Sequence, residues 1–120
     1  MGTIEEGVRR FNGGMYFEAH EQWEDIWRVE GDAEKRPLIQ GMIKIAAALH
    51  HFTKGEHTGV SKLLSGGLEL LQRGQKHWEA CFPEWDLARF AAEVAAFGEM
   101  AAEKRHLAVL PKITLKKGHP

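Results

Sequence analysis

The stretch LIQGMIKIAAALHHFT, residues 38–53, determines the fold class of this chain. Its apolar residues cover about half of the circumference of an α-helix, which is typical of a helix at the centre of a bundle. Before it, Asp32 can cap the helix, and Pro37 confines the regular part to the residues that follow. After it, Gly55 is a stop signal. We therefore predict a central helix over this stretch.

Helical periodicity continues outward in both directions, and strand signals are nearly absent. The other predicted helices are a short first one striped by Ile4, Val8 and Phe11, a second from about Met15 to Glu30, a fourth from about Thr58 to His77, and a fifth striped by Leu87, Phe90, Val94, Phe97 and Ala101. We predict an all-α fold, a single-domain bundle of about five helices over residues 1–106. We expect residues 107–120 to form an extended C-terminal tail, packed on the bundle or partly disordered, with Lys116 and Lys117 in solvent.

A glycine inside a helix costs about 1 kcal/mol of helix propensity relative to alanine. Gly66 and Gly67 interrupt the packed face of helix four, and Gly41 lies in helix three. No strand precedes the pair in helix four, which argues against a phosphate-binding loop. We predict instead that the backbones of neighbouring helices approach closely at these positions.

Size, charge and cysteine content restrict the class of protein. A chain of 120 residues suits one domain with a substantial core. A net charge of −1 provides no basic field for nucleic acid or an anionic membrane, and no apolar run reaches membrane-spanning length. The first residues lack the apolar segment of a signal peptide, and Cys81 is the only cysteine. We expect a cytoplasmic protein in which Cys81 is a buried small residue.

The second helix contains FEAHEQWEDIW, residues 17–27, where polar and aromatic side chains share one face. At about 100° per residue, Glu24 lies about 40° from His20, and Trp23 and Trp27 lie within about 60° of it. The opposite side carries Glu18, Gln22, Asp25 and Arg28, with Glu21 on the flank. We predict that His20 and Glu24 lie inside the aromatic face, where a carboxylate needs a partner.

The third helix carries a narrow polar stripe, formed by Gln40, Lys44, Ala47 and His51. Consecutive helices joined by a short loop usually pack antiparallel, so this stripe can meet the His20 face of helix two. Lys44, His51 and the tryptophan indoles are then candidate partners of Glu24. His50 belongs to the apolar side of the helix, and we interpret it as a satisfied structural residue.

The residues FNGGMYFEAHEQWEDIW, followed by QGMIKIAAALHHFTKGEHTGVSKLL, resemble the family known as domain of unknown function 309. Its members are small all-helical bacterial and archaeal proteins without an assigned activity. The matching positions lie within a family-like core of residues 8–71 and are Phe11, Asn12, Gly14, Tyr16, Phe17, Glu18 to Glu21, Glu24, Trp27, Gln40, Gly41, His51 and Gly55. The chain departs at Glu56, where the family tends to have asparagine. The resemblance implies the helical fold and almost nothing about chemistry.

Three functional hypotheses remain open. In the first, a buried polar cluster on helices two and three fixes helix register, and the protein is a non-enzymatic binding or interaction domain; the cluster is His20, Glu24, Gln40 and His51. In the second, a small molecule or peptide occupies a pocket that is also lined by Trp23, Trp27, Lys44 and Glu21. In the third, a hydrolase-like enzyme uses His20, Glu24 and His51, as ligands of a divalent metal or in acid–base catalysis.

The cofactor and the partners follow from the same reasoning. The simplest expectation is no cofactor, with a divalent metal as the alternative. We expect a homodimer or a protein partner, and Trp78 and Trp85 are candidates for a dimer contact or for capping the end of the bundle. Basic residues are scattered rather than striped, which argues against nucleic acid.

Overall fold

The computed structural model describes residues 2–102 and 109–116. Regular structure in these residues is helical, with α1 (Ile4–Asn12), α2 (Tyr16–Val29), α3 (Lys35–Thr53), α4 (Val60–Arg73), α5 (Trp78–Cys81), α6 (Leu87–Ala102) and a 3₁₀ turn at Gln75–His77. The all-α prediction is confirmed, and the described part contains one short helix, α5, beyond the five expected. None of these helices is both long and apolar enough to cross a membrane.

Two helices differ in extent from the prediction. The fourth helix spans Val60–Arg73 rather than 58–77, and it begins after Gly59, whose φ of 84° is left-handed and favours glycine. The third helix begins at Lys35 and includes Pro37 in its first turn. Proline is tolerated there because the backbone N–H groups of a first turn have no partner within the helix.

Asp32 caps α3, as predicted. Its carboxylate oxygen Oδ1 accepts hydrogen bonds from the backbone N–H groups of Glu34 at 2.8 Å and Lys35 at 3.1 Å. Hydrogen bonds to the ionised form favour that form. The N–H groups of Lys35 and then Glu34 therefore hold the pKa of Asp32 below its usual value of 3.8.

The central position of α3 is also confirmed. It packs against α2 on one side and α4 on the other, while α1 covers α2 and α6 covers α4. Eight of its residues are buried: Leu38, Ile39, Gly41, Met42, Ile45, Ala46, Ala48 and Leu49. Burying this apolar surface is the main favourable contribution to folding, at about 25 cal/mol per Å².

The helices α3 and α4 cross at two glycines. A Cβ atom on Gly41 would lie 2.8 Å from the carbonyl oxygen of Gly67, and one on Gly67 would lie 2.7 Å from the carbonyl oxygen of Gly41. Gly66 points elsewhere, since a Cβ there would meet nothing closer than the Lys44 ammonium at 3.6 Å. The predicted close backbone approach is therefore confirmed for Gly41 and Gly67.

The contact between α1 and α2 depends on Trp23, whose side chain is fully buried. Its indole Nε1 donates to the carbonyl oxygen of Ile4 at 3.3 Å. A Cβ on Gly7 would overlap the indole ring, so only glycine fits at this point of α1. The hydrogen bond and the size of the Trp23 indole thus fix the position of α1 against α2.

The described part of the tail, residues 109–116, crosses α1 and the loop before α6. Asn12 at the end of α1 donates to the carbonyl of Ile113 at 2.8 Å and accepts from its N–H at 2.9 Å. Trp85 and Leu115 form an isolated antiparallel bridge, and Ile113 is only 1% exposed. The proposed boundary between residues 106 and 107 and the side chain of Lys117 lie outside the described residues.

Candidate functional site

The buried face of α2 is rotated relative to the prediction. Its buried residues are Tyr16, Ala19 and Trp23, whereas the side chains of His20 and Glu24 are 27% and 31% exposed. No polar or charged residue is buried in the described part of the chain. The prediction of a buried polar cluster is therefore wrong.

The rotation follows from the angular positions of the residues around α2. Phe17 is one of the aromatic residues of this stretch, yet it is 49% exposed. At about 100° per residue, the true arc centres on Trp23 and Ala19, between about 60° and 100° to one side of His20. His20, Glu24 and Phe17 lie together on the edge of that arc, where α2 meets solvent.

His20, Glu24 and Arg28 form a line along α2, one helical turn apart. His20 Nε2 lies 3.2 Å from Glu24 Oε2, and Arg28 Nη2 donates to Glu24 Oε1 at 2.5 Å. Arg28 also approaches Asp25 at 3.5 Å. The prediction that Arg28 lies on the side opposite Glu24 is wrong, because residues four apart on a helix are neighbours.

The two ring nitrogens of His20 have different surroundings. Nδ1 is buried and has no hydrogen-bond partner in the described part of the chain. The other nitrogen faces Glu24. A general base needs one nitrogen held by an orienting carboxylate and the other directed at the substrate. Here the nitrogen left over after the contact with Glu24 is turned into the protein.

Phe17 joins α2 to the end of α3 and is a residue that the sequence reasoning missed as a site residue. Its ring stacks on the His20 ring with 6.2 Å between centroids and lies 5.4 Å from the ring of His50. His50 therefore contacts the edge of an exposed aromatic ring rather than the core. The signal that could have identified Phe17 was its phase, which it shares with Glu24 and not with Trp23.

Two depressions flank the Phe17 ring. The first, of about 220 Å³, is lined by Phe17, His20, Glu21, Glu24, Asp25 and Arg28. The second, of about 360 Å³, is lined by Gly14, Met15, Tyr16, Phe17, Glu18, His50 and Lys54. We call the union of these residues the Phe17 surface. It exposes two large apolar side chains, Met15 and Phe17.

The polar stripe of α3 does not meet the His20 face. The α2 side of α3 carries His50, which contacts Phe17, and the α4 side carries Gly41 and Ile45. The stripe lies between these two sides, since each is about 80° to 140° away from it around the helix. It therefore faces outward, between α2 and α4.

The individual residues of the stripe have other neighbours. Lys44 lies beside Gly66 of α4, and His51 Nδ1 is 3.6 Å from Glu56 Oε1. Gln40 is half-buried. In the described residues, no hydrogen bond or ion pair links any of the three to His20 or Glu24.

The remaining candidates for the site either pack against other parts of the protein, as Trp23 and Trp27 do, or lie at its surface, as Glu21 does. Trp23 is in the core, and Trp27 lies under the guanidinium of Arg36, 3.9 Å from the ring centroid. Glu21 is exposed on the Phe17 surface. Burial raises the pKa of the Tyr16 hydroxyl, which keeps this neighbour of the surface neutral. Over the residues described, His, Cys, Asp and Glu side chains form no group of three or more that could hold a metal ion.

Cys81 and the two remaining tryptophans lie away from the Phe17 surface. Cys81 is half-buried, and desolvation is the main cause that raises the pKa of its thiol. Trp78 Nε1 donates to the carbonyl of Leu71 at 2.9 Å. Trp85 lines a wider groove of about 500 Å³ between α1 and the tail, which contains none of the predicted site residues.

Comparison with known proteins places the chain in a family. A family model described as "Domain of unknown function (DUF309)" matches residues 4–63, which is half of the chain. The chain is 30% identical over 57 residues to "Uncharacterized protein YpuF" of Bacillus subtilis (strain 168). That match covers 48% of this chain and 33% of the relative. No solved structure matches the chain. The matched residues run from α1 to the start of α4 and include the Phe17 surface, and the chain belongs to the DUF309 family.

Proposed function

We propose that this protein is a non-enzymatic binding domain that holds a partner polypeptide on the Phe17 surface. The observation that carries the proposal is the exposure of Phe17, which is 49% exposed in the first turn of α2, a helix whose other side packs in the core. An aromatic side chain that is open to solvent and rimmed by polar groups is typical of a contact surface between proteins. A cytoplasmic location, with Cys81 reduced, fits this role.

The orientation of His20 favours binding over acid–base catalysis. One nitrogen of His20 contacts Glu24, and the other is buried without a hydrogen-bond partner in the described part of the chain. His20, which contacts Glu24, instead stacks on the Phe17 ring. The first depression, of about 220 Å³, is smaller than the roughly 300–1,000 Å³ of ordinary small-molecule sites, and the second, of about 360 Å³, lies at the lower end of that range. The two flank one exposed aromatic ring, an arrangement that suits a polypeptide segment lying across it.

The metal-dependent alternative uses His20 and Glu24, which already face each other, with His51 as a third ligand. His51 would have to leave Glu56 to reach them. Elemental analysis of protein purified without chelators tests this alternative. Stoichiometric zinc, iron or manganese that is lost in both His20→Ala and His51→Ala would support a metal enzyme and contradict the binding proposal.

A phage-displayed library of random peptides tests the binding proposal directly. The library is selected on the wild-type protein, and the selected clones are then measured on Phe17→Ser and on Val29→Ser. Val29 is a matched control, because it is apolar, 68% exposed and on the same helix. Circular dichroism establishes that both variants are folded.

The proposal predicts clones that bind the wild type and Val29→Ser and that fail to bind Phe17→Ser. Clones that bind all three proteins equally would place the contact surface elsewhere. A library that yields no clone at all would contradict the proposal, since an exposed aromatic patch of this type is a favourable target for peptides.

A further inference from the structure

We propose that the polypeptide bound on the Phe17 surface is basic, with a lysine or arginine next to a large apolar side chain. This inference rests on the proposed function and adds the chemical character of the partner. The apolar side chain would lie against Met15 and Phe17, and the cation would enter the first depression, among the carboxylates of α2.

The charge of α2 is the first argument. The helix carries four carboxylates, Glu18, Glu21, Glu24 and Asp25, and one guanidinium, Arg28. Its formal charge is therefore −3, whereas the whole chain carries only −1. The negative charge of the protein is thus concentrated on the helix that also exposes Phe17, and complementary charge directs the encounter of two proteins.

The carboxylates that line the first depression differ in whether they already make an ion pair. Glu24 is held by both His20 and Arg28, and Asp25 shares the same Arg28. Glu21 is exposed, lines the first depression, and makes no ion pair with the residues that the structure describes. Within the described part of the chain, an incoming cation would therefore find Glu21 without an ion-pair partner, with Asp25 beside it.

The third argument is the position of Phe17 relative to Glu21. The two residues are four apart on α2, so their side chains lie on the same side of the helix, one turn apart. A lysine or arginine can place its apolar stem on an aromatic ring and its charged end on a carboxylate one turn away. An acidic partner would meet like charge at the same place.

The two cations of the surface are compatible with this partner. Arg28 is exposed, and its guanidinium pairs with the carboxylates of Glu24 and Asp25. Lys54 lies at the second depression, on the far side of the Phe17 ring, together with Glu18 and His50. The first depression is therefore acidic, whereas the second combines apolar side chains with charges of both signs. This difference sets the orientation of the partner segment.

Fluorescence anisotropy with three labelled peptides of equal length tests the inference. The peptides alternate leucine with lysine, with glutamine or with glutamate. We expect the leucine–lysine peptide to bind most tightly and the leucine–glutamate peptide to bind most weakly. In the double variant Glu21→Lys/Asp25→Lys, the affinity for the lysine peptide should fall by about tenfold or more, because two attractions become two repulsions.

The matched control is the double variant Glu5→Lys/Glu69→Lys, which makes the same change of net charge at exposed sites outside the Phe17 surface. It should keep most of the affinity. Equal loss in both double variants would mean that only net charge matters and would overturn the inference.

Two further outcomes separate this inference from the proposed function. If the glutamine or glutamate peptide binds as tightly as the lysine peptide and Phe17→Ser abolishes that binding, the surface binds peptides and the basic partner is wrong. If sedimentation shows a wild-type dimer and a Phe17→Ser monomer, the occupant is a second copy of this chain. If none of the peptides binds, both proposals fail.

Discussion

Glu24 is the residue whose role changes most between sequence and structure. Its phase among aromatic side chains indicated a buried carboxylate, for which loss of the partner would cost about 3 kcal/mol or more. In the structure it is a half-exposed member of two contacts along one helix, with His20 and Arg28. Contacts of this kind contribute little, since solvent screens them and long side chains lose entropy.

We therefore expect Glu24→Ala to lower the free energy of unfolding by less than about 1 kcal/mol. Urea denaturation followed by circular dichroism measures this change. Glu69→Ala is the matched control, because Glu69 accepts from Arg73 at 2.7 Å, also four residues along a helix. A loss of about 3 kcal/mol for Glu24 alone would restore the structural interpretation of the cluster.

At the residue scale the sequence predicted the contact between His20 and Glu24, whose side chains lie 3.2 Å apart. It could not identify which edge of the aromatic arc is exposed, because aromatic side chains occur both in cores and on contact surfaces. Phe17 and Trp23 are both aromatic residues of α2, so the residue type does not distinguish the exposed position from the buried one. Only the position of α1, where Gly7 leaves room for the Trp23 indole, decides that Trp23 is covered.

The helix crossings were predictable at the element scale because glycine inside a helix has a cost that packing must offset. That reasoning identified Gly41, Gly66 and Gly67 together. The structure divides them: Gly41 and Gly67 contact each other across α3 and α4, and Gly66 lies beside Lys44. Adjacent helical residues point about 100° apart, so only one of two neighbouring glycines can face the crossing.

Alanine substitutions at the two neighbouring glycines should have opposite effects on stability. In Gly67→Ala the new Cβ would lie 2.7 Å from the carbonyl oxygen of Gly41, and overpacking of this type costs about 1–3 kcal/mol. Gly66→Ala has room, with nothing nearer than 3.6 Å, and should gain about 0.5–1 kcal/mol from helix propensity. Thermal denaturation of both variants measures the signs. A stabilised Gly67→Ala would contradict the close crossing.

The cap of α3 gives a prediction for pH. The pKa of Asp32 is lowered in the folded protein, so its stabilising effect is complete above the ordinary value of 3.8 and is lost as the pH falls through the lower folded value. The amide resonances of Glu34 and Lys35 should therefore shift together in acid, below pH 3.8. Asp32→Asn keeps an acceptor at every pH and should abolish this shift. A shift that persists in Asp32→Asn would assign the titration to another group.

At the scale of the whole molecule, the tail connects α1 with the loop before α6, since Ile113 bonds to Asn12 and Leu115 pairs with Trp85. The sequence indicated an apolar tail and gave no information about its path. That path depends on the carboxamide of Asn12, which takes the place of a neighbouring strand by bonding both the N–H and the carbonyl of Ile113. A helix-ending asparagine has many other possible roles, so this contact was not predictable.

Asn12→Ala should lower the free energy of unfolding by about 1–2 kcal/mol through loss of these two hydrogen bonds. Hydrogen exchange should show faster exchange of the Ile113 amide in the variant, with amides of the core of α3 less affected. Asn12→Asp keeps the acceptor and loses the donor, and we expect an intermediate effect. Unchanged exchange at Ile113 would mean that burial of its side chain alone holds the tail.

The Phe17 surface and the groove between α1 and the tail are separate, so one experiment can show which of them binds the peptide. The leucine–lysine peptide is titrated into ¹⁵N-labelled protein, and the amide shifts are mapped. We predict that the shifted residues cluster in α2 from Met15 to Arg28 and at His50, around Phe17. Shifts that cluster instead at Arg9, Trp85 and Leu115, in the groove between α1 and the tail, would contradict the account.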